Sequence, residues 1–221
     1  MKRDLVSIFS LGREEIDDLM ERAAVLKTKQ RKGVRHTPLK GKTLAMIFEK
    51  ASTRTRVSFE VGMYQLGGYA LFLDFKDMQL SRGESVSDTA RVLSGYVDGI
   101  MARTFSHESI EELARHATIP VINALSDLFH PCQILSDVFT IMEKKGGYRD
   151  LKVAYVGDGN NVAHSWINCA ARLELQLSLA CPERYGPDAW LLKRARKGSR
   201  GKIKLVHDPY DAVVEADIIY T

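Results

Sequence analysis

The sequence predicts an α/β fold with two doubly wound domains, each built on a parallel sheet. Short apolar runs without alternation, of which residues 43–48 are the first, are typical of strands buried on both faces. Helical patterns separate these runs, so that strand, helix and strand recur within about thirty residues, the size of a βαβ unit. Gly146 and Gly147 interrupt the pattern, and a new alternation starts at Leu151. We therefore expect a first domain at 1–132, a connecting helix and hinge at 133–150, and a second domain at 151–221.

The individual elements follow from the apolar periodicity and from the turn residues between the periodic segments. Strands are expected at 43–48, 69–74, 99–103, 120–124, 151–156, 177–180, 202–206 and 217–220. Helices are expected at 11–26, 53–66, 86–97, 106–117, 134–145, 188–197 and 210–215. Residues 75–87 fit neither period and are expected to form a polar connection.

Two of these helices carry more specific expectations. Ser10 is a candidate N-cap for the first helix, which is expected to cover the first domain. In the second helix, Val57, Val61 and Tyr64 form one apolar stripe beside another stripe of apolar residues. Two stripes predict that most of the circumference of this helix is buried.

The stretch between the first strand and the second helix has the composition of an anion-binding turn. Ser52, Thr53 and Thr55 supply hydroxyl groups, and Arg54 supplies a guanidinium group where the positive end of the helix dipole lies. The alternative is a simple helix cap with both Arg54 and Arg56 in solvent. A cap needs one hydroxyl, and open α/β sheets bind ligands at the carboxyl ends of their strands. We therefore favour a phosphate site.

Composition excludes several other classes of protein. No apolar run approaches the ~20 residues of a membrane span, and the start of the chain lacks the apolar region of a signal peptide. Three cysteines do not make a disulfide framework, so we expect a soluble protein of the cytoplasm. A net charge of +4 does not indicate nucleic acid as a partner, and the basic stretch 193–202 is interpreted as a solvated helix end.

The motif at 52–56, Ser-Thr-Arg-Thr-Arg, is followed by His-Pro-Cys-Gln at 130–133. This pair resembles the signature of the aspartate/ornithine carbamoyltransferase family, whose members pass a carbamoyl group from carbamoyl phosphate to an amine. The resemblance runs from the first helix to the last residue. It implies that the second domain is incomplete here, because the family's later loops and final helix have no counterpart before Thr221.

The resemblance also implies roles for individual residues. Arg54, Arg103 and His130 correspond to catalytic residues, and the wider set that contacts carbamoyl phosphate corresponds to Ser52, Thr53, Arg54, Thr55, Gln79, Arg103, His130 and Gln133. Thr55, Arg103 and His130 are assigned to the carbonyl oxygen, and Gln133 to the carbamoyl amide. Gln79 lies in a loop that in the family reaches a neighbouring subunit's site, which implies a homo-oligomer, a trimer or a multiple of it. Without the resemblance, an arginine at a strand end is often only a solvated residue, although Arg103 is expected at the same sheet edge as Arg54. A lone histidine such as His130 is more often structural.

The implied reaction forms L-citrulline and phosphate from L-ornithine and carbamoyl phosphate, in arginine biosynthesis or catabolism. The segment 157–165 resembles the one with which ornithine enzymes bind the amino acid, with Asn161 as the contact, and it contains neither Arg nor Lys. Aspartate as the acceptor, or a non-catalytic relative that only binds carbamoyl phosphate, are the alternatives. The glycines at 157 and 159 make a weak dinucleotide pattern without the third glycine.

No cofactor, metal, nucleic acid or membrane is expected to take part. His107 and His116 are expected to flank a surface helix without metal-ligand spacing. Cys132 is interpreted as a small buried residue and not as a nucleophile, because no basic residue stands beside it in the sequence.

Overall fold

The computed structural model describes residues 2–198 and 202–221, which form two compact units. The first unit comprises residues 2–6 and 21–127, and the second comprises residues 7–20 and 128–221. Each unit contains one four-stranded sheet, and the paired strands within each sheet run parallel. The predicted α/β fold with two parallel-sheet domains is therefore confirmed. The boundaries predicted after residues 132 and 150 stay a prediction.

The first sheet consists of four strands in the spatial order β2-β1-β3-β4. Its strands are β1 (Thr43–Phe48), β2 (Tyr69–Asp74), β3 (Gly99–Arg103) and β4 (Val121–Leu125). Three helices connect them: α2 (Thr53–Gln65), α3 (Val86–Ser94) and α4 (His107–His116). In the register of the two central strands, Phe48 lies opposite Arg103, so the turns that follow β1 and β3 leave the sheet side by side.

Alternate residues of the central strands are buried in two separate hydrophobic cores, one on each face of the sheet. Ala45 and Ile47 of β1 pack with α3 and α4 side chains on one face of the sheet. Leu44 and Met46 pack on the other face, where Met63 of α2 joins them. Strands buried on both faces need a helix layer on each side, which is why the apolar runs show no alternation with polar residues.

The second sheet has the spatial order β7-β6-β5-β8. Its strands are β5 (Lys152–Val156), β6 (Gln176–Ala180), β7 (Ile203–Val206) and β8 (Ile218–Tyr220). The helices of this unit are α5 (Pro131–Lys145), α6 (Asn161–Leu173), α7 (Ala189–Gly198) and α8 (Pro209–Val213). Nearly the whole of α6 is buried, including Trp166. Its burial fixes the segment at its N-terminus, which carries Asn161.

The expectations for the first helix are wrong in two respects. The helix, α1, spans Arg13–Arg31, and the Ser10 hydroxyl donates to the carbonyl of Ser7 instead of capping it. Glu15 in the first turn accepts a hydrogen bond from the Gly12 amide at 2.8 Å, which is one half of a capping box. Residues 7–20 belong to the second unit and residues 21–31 to the first, so α1 is not an element of the first domain alone.

The prediction that α2 is buried around most of its circumference is also wrong. Val57, Val61 and Tyr64 are 50%, 44% and 81% exposed, whereas Met63 is buried and Phe59 packs beside it. Only one of the two apolar stripes therefore faces the sheet. Gly67 follows the end of the helix at a positive φ of 84°, a conformation that glycine adopts readily. A Cβ there would lie 2.7 Å from Cβ of Thr37, so a side chain is excluded by space as well as by conformation.

Three smaller features complete the fold. The connection at 75–87 contains two short 3-10 helices, Phe75–Asp77 and Gln79–Arg82. Leu5 makes a parallel bridge with Ile122 and so extends the first sheet beyond β4, which the sequence did not indicate. Of the basic stretch 193–202, residues 199–201 lie outside the described residues. Among the described helices, none combines the length and the apolar character needed to cross a membrane.

Candidate functional site

The turn between β1 and α2 presents hydroxyl groups and amide groups at the start of a helix. Ser52 is extended, with φ of −162°, and its hydroxyl oxygen accepts a hydrogen bond from the Thr55 amide at 3.2 Å. The same hydroxyl donates to Oγ1 of Thr55 at 3.0 Å. Thr53 and Arg54 occupy the first two helical positions, where amide groups have no partner within a helix, and both side chains are exposed. This end of α2 is therefore open to an anion.

Arg103 reaches the same turn from the end of β3. Its Nη1 donates to Oγ1 of Thr55 at 3.5 Å, and its carbonyl accepts from the Glu49 amide at 2.9 Å, which ties the two strand ends together. Nε of Arg103 is buried and has no hydrogen-bond partner among the described residues. The guanidinium group is thus held beside α2 with donor capacity left over.

Two positive charges lie close together at this turn, which also contains Glu49, whose carboxylate accepts a hydrogen bond from the Phe105 amide at 2.8 Å. Burial lowers the pKa of Arg103, and the positive charge of Arg54 lowers it further. Within the described part of the chain, no carboxylate forms an ion pair with either arginine. Two cations that repel each other at a helix N-terminus favour a bound anion, which relieves the repulsion and uses the free donors. The structure thus brings together Ser52, Thr53, Arg54, Thr55 and Arg103.

Arg56 is directed away from this cluster. Its Nε pairs with Oε1 of Glu60 at 2.9 Å, and its guanidinium carbon lies 3.8 Å from the centroid of the Phe72 ring. The second guanidinium group at the turn therefore comes from Arg103 and not from Arg56.

Gln79 lies in the 3-10 helix that follows β2. Its carbonyl accepts a hydrogen bond from the Glu84 amide at 3.1 Å, which closes the turn around Gly83. No hydrogen bond among the described residues links the Gln79 side chain to Arg54 or Arg103. The structure does not bring Gln79 to the arginine cluster of its own chain.

The second motif opens α5 in the second unit. His130 is the N-cap residue and Pro131 follows it at the first helical position, where its missing amide proton costs nothing. The His130 amide donates to Oγ of Ser165 at 2.8 Å, and that hydroxyl donates to the carbonyl of Asn161 at 2.8 Å. Ser165 therefore joins the motif at 130–133 to the start of α6. Sequence reasoning quoted Ser165 only as the end of a segment and missed this link.

Gln133 is bonded to a residue that the sequence analysis did not consider. Its Nε2 donates to Oδ1 of Asp137 at 3.0 Å, one turn further along α5. Burial raises the pKa of the Asp137 carboxyl group, and the hydrogen bond from Gln133 opposes that shift. An Asp four residues after a Gln on a predicted helix was the signal available in the sequence.

Asn160 and Asn161 stand at the start of α6. Oδ1 of Asn160 accepts from the amides of Val162 at 2.8 Å and Ala163 at 3.2 Å, so Asn160 is the helix cap. Asn161 is half-buried at the first helical position. A Cβ on Gly159 would lie 2.2 Å from the Pro187 nitrogen, so close backbone packing accounts for this glycine without a dinucleotide.

Two further residues were considered for chemistry in the sequence. Burial raises the pKa of Cys132 to about 12, so its thiol is protonated at neutral pH, as expected of a poor nucleophile. His107, at the start of α4, is half-buried: its Nδ1 lies 2.9 Å from Oγ of the buried Ser126, and burial lowers its pKa. In the described ranges, no group of three or more His, Cys, Asp or Glu side chains is placed to hold a metal ion.

Comparison with known proteins agrees with the geometry of both units. Residues 3–143 match the family model described as the aspartate/ornithine carbamoyltransferase carbamoyl-P binding domain, and residues 149–221 match the Asp/Orn binding domain of the same family. An ornithine carbamoyltransferase from Syntrophus aciditrophicus is 61% identical over 221 residues, which are 100% of this chain and 73% of that protein. One from Thermococcus kodakarensis is 53% identical over 222 residues, covering 99% of this chain and 70% of that protein.

Solved structures give the same result. The ornithine carbamoyltransferase from Pyrococcus furiosus superposes with a TM-score of 0.96 at 53% sequence identity, over 99% of this chain and 71% of that one. The enzyme from Burkholderia thailandensis superposes with a TM-score of 0.93 at 42% identity, over 98% of this chain and 74% of that one. This chain belongs to the aspartate/ornithine carbamoyltransferase family, because two models of that family match it and a relative matches it along its whole length.

Proposed function

We propose that this chain transfers the carbamoyl group of carbamoyl phosphate to the side-chain amine of L-ornithine, giving L-citrulline and phosphate. Membership of the carbamoyltransferase family supports the reaction class, and the relatives named ornithine carbamoyltransferase support the acceptor. The observation that carries the proposal is the pair of arginines, Arg54 and Arg103, that converge at the start of α2 without an acidic partner among the described residues.

The phosphate group is the natural ligand of this cluster. Ser52, Thr53, Arg54 and Thr55 are proposed to hold it through hydroxyl groups, a guanidinium group and the open amides of α2. Each contact is charge-assisted, because the phosphate is anionic, and such hydrogen bonds are roughly twice as strong as neutral ones. The leaving group is thereby stabilised as its negative charge grows, and this is where fixed donors lower a barrier most.

The transfer step needs little more than position and electrostatics. The amine nitrogen attacks the carbonyl carbon and forms a C–N bond. The bond between the carbonyl carbon and the oxygen that bridges it to phosphorus then breaks. The electron pair of the broken bond leaves with phosphate, and the attacking nitrogen loses one proton to the departing phosphate. Thr55, Arg103 and His130 are proposed to donate to the carbonyl oxygen as it becomes negative, and Gln133 to contact the carbamoyl amide.

The acceptor is proposed to bind at the start of α6, with Asn161 as one contact. An acidic acceptor with two carboxylates would call for additional cations, but the segment 157–165 contains no Arg or Lys. Ornithine, whose side chain ends in an amine, makes no such demand. This difference favours ornithine over aspartate.

The setting of the reaction is also proposed from the family. We place the chain in arginine metabolism, biosynthetic or catabolic, and in the cytoplasm. We propose a homotrimer in which Gln79 of one subunit contacts carbamoyl phosphate bound by its neighbour. The exposed position of Gln79 in the 75–87 connection is compatible with that role.

The proposal is tested by product formation. The 221-residue chain is incubated with carbamoyl phosphate and either L-ornithine or L-aspartate, and citrulline, carbamoyl aspartate and phosphate are quantified. We expect citrulline to form in a one-to-one ratio with the phosphate released above the rate of spontaneous decomposition. Carbamoyl aspartate as the main product would overturn the choice of acceptor. Absence of acceptor-dependent phosphate release from a folded chain would overturn the proposed activity.

A further inference from the structure

Asp137 is unusual because part of its carboxylate is buried, and burying a charged group costs free energy. One of its carboxylate oxygens, Oδ2, is buried, and no hydrogen bond of ordinary geometry reaches it from the described residues. The Tyr220 hydroxyl is nonetheless close: burial and then the Asp137 carboxylate raise the pKa of Tyr220 to about 12. The buried thiol of Cys169 on α6 also has its pKa raised, first by burial and then by Asp137. A neutral side chain of the same size would fill this place at lower cost.

The bond from Gln133 to Asp137 determines how the Gln133 amide is turned. Nε2 of Gln133 is 3.0 Å from Oδ1 of Asp137, and an ionised carboxylate can only accept hydrogen bonds. The NH₂ group of Gln133 must therefore face Asp137. The carbonyl oxygen Oε1 is then the group that Gln133 can offer to a ligand.

An acceptor at this point matches the chemistry of a carbamoyl group. The carbamoyl nitrogen of carbamoyl phosphate carries two N–H donors and needs acceptors. A Gln133 side chain turned the other way would present NH₂ to NH₂, leaving both groups without an acceptor. Such a mismatch leaves a polar group unsatisfied, which costs about 1–3 kcal/mol when it is buried.

Resting on the proposed function, we propose that Asp137 is a positioning residue for carbamoyl recognition. It holds the NH₂ group of Gln133 so that the Gln133 carbonyl oxygen accepts a hydrogen bond from the carbamoyl NH₂ of the substrate. The ring of Tyr220, at the end of β8, is fixed by stacking on Tyr155 at 5.9 Å and by an edge contact with Trp166 at 5.7 Å. Asp137 itself need not touch the substrate.

The alternative is that Gln133 and Asp137 merely stabilise α5. A Gln–Asp pair four residues apart contributes about 0.2–0.5 kcal/mol to an isolated helix. The two interpretations make opposite predictions for Asp137→Asn. A helix-stabilising role predicts lower stability with unchanged ligand selectivity. The positioning role predicts lower affinity for carboxamide ligands at unchanged or higher stability, because the asparagine carries no charge to desolvate.

Two ligands separate these interpretations. Phosphonoacetamide carries a carboxamide NH₂ on a stable phosphonate, whereas inorganic phosphate lacks that group. Calorimetry on the full chain should show about fivefold weaker binding of phosphonoacetamide to Asp137→Asn, within the range that ordering one extra side chain costs on binding. Phosphate affinity should change by less than twofold. Ser136→Ala is the matched control, since Ser136 is exposed on the same helix and its hydroxyl donates to the backbone carbonyl of Cys132.

A double variant tests whether Asp137 acts through Gln133. Gln133→Ala should weaken phosphonoacetamide binding, and adding Asp137→Asn should then cost nothing further. If Asp137→Asn does not fold, the wild-type chain is examined by ¹⁵N NMR. One Gln133 side-chain proton, assigned by its absence in Gln133→Ala, should be shifted downfield and exchange slowly.

The outcomes are distinguishable. Equal losses for phosphonoacetamide and phosphate, additive losses in the double variant, or a freely exchanging Gln133 amide would each overturn the positioning role alone. If the wild-type chain binds neither ligand, the proposed function fails and the inference fails with it.

Discussion

Replacing Arg54 by lysine removes the forked guanidinium group while keeping the positive charge. Arg54 is exposed at the second position of α2, and the guanidinium group of Arg103 lies at the same turn. A phosphate held by the fork receives two parallel hydrogen bonds, and the lysine ammonium cannot reproduce that geometry. Loss of one charge-assisted hydrogen bond costs about 1.5–3 kcal/mol, which corresponds to roughly 10- to 150-fold in affinity.

The assay is calorimetric titration with carbamoyl phosphate or phosphonoacetamide. The thermal unfolding midpoint of Arg54→Lys should stay close to that of the wild type, because exposed substitutions usually change stability by less than about 0.5 kcal/mol. Arg56→Lys is the matched control: the same substitution two residues further on the same helix, at an arginine paired with Glu60 and directed elsewhere. An affinity for Arg54→Lys within twofold of the wild type would refute the reasoning. It would indicate that Arg54 is a solvated residue that does not bind phosphate.

Three further predictions follow from the same structure. Ser52→Ala and Ser85→Ala each remove an N-cap hydroxyl and should each cost about 1 kcal/mol in urea unfolding, but only Ser52→Ala should weaken phosphate binding. In the proposed trimer, mixing Arg54→Ala chains with Gln79→Ala chains should restore binding at hybrid sites; a monomer, or no recovery after confirmed subunit exchange, would contradict it. Burial lowers the pKa of His164, so the unfolded chain binds a proton at this side chain more readily than the folded chain does. The contribution of His164 to the free energy of unfolding should therefore be fully present above about pH 6.5 and fall below it. Urea unfolding at several pH values, with His164→Asn showing a smaller fall, checks this.

The strands of the first sheet were predictable because their signals are local. β1, β2 and β3 have the bounds that the sequence predicts, since each is a continuous apolar run between glycines or polar residues. The burial of α2 was not predictable in the same way. Its sequence contains two apolar stripes, and only packing against the sheet decides that Met63 faces inward while Tyr64 faces solvent.

The candidate site likewise contains one feature that the sequence indicates and another that only the packing of the folded chain determines. The convergence of Arg103 with the turn at Ser52 follows from parallel strands that end at one sheet edge, which periodicity alone can indicate. The role of Asp137 depends on one helical turn of separation combined with the buried state of a single oxygen atom. Burial of that kind is a property of packing, and the sequence contains no local signal for it.

In the proposed site, the start of α2 and the end of β3 together bind the phosphate of carbamoyl phosphate. A crystal structure of the chain with phosphonoacetamide bound tests it most directly. We predict the phosphonate group within hydrogen-bond distance of Ser52, Thr53, Arg54 and Thr55, and the carboxamide oxygen within reach of Arg103. A phosphonate bound at another surface, with Arg54 and Arg103 left in contact with solvent only, would contradict the account.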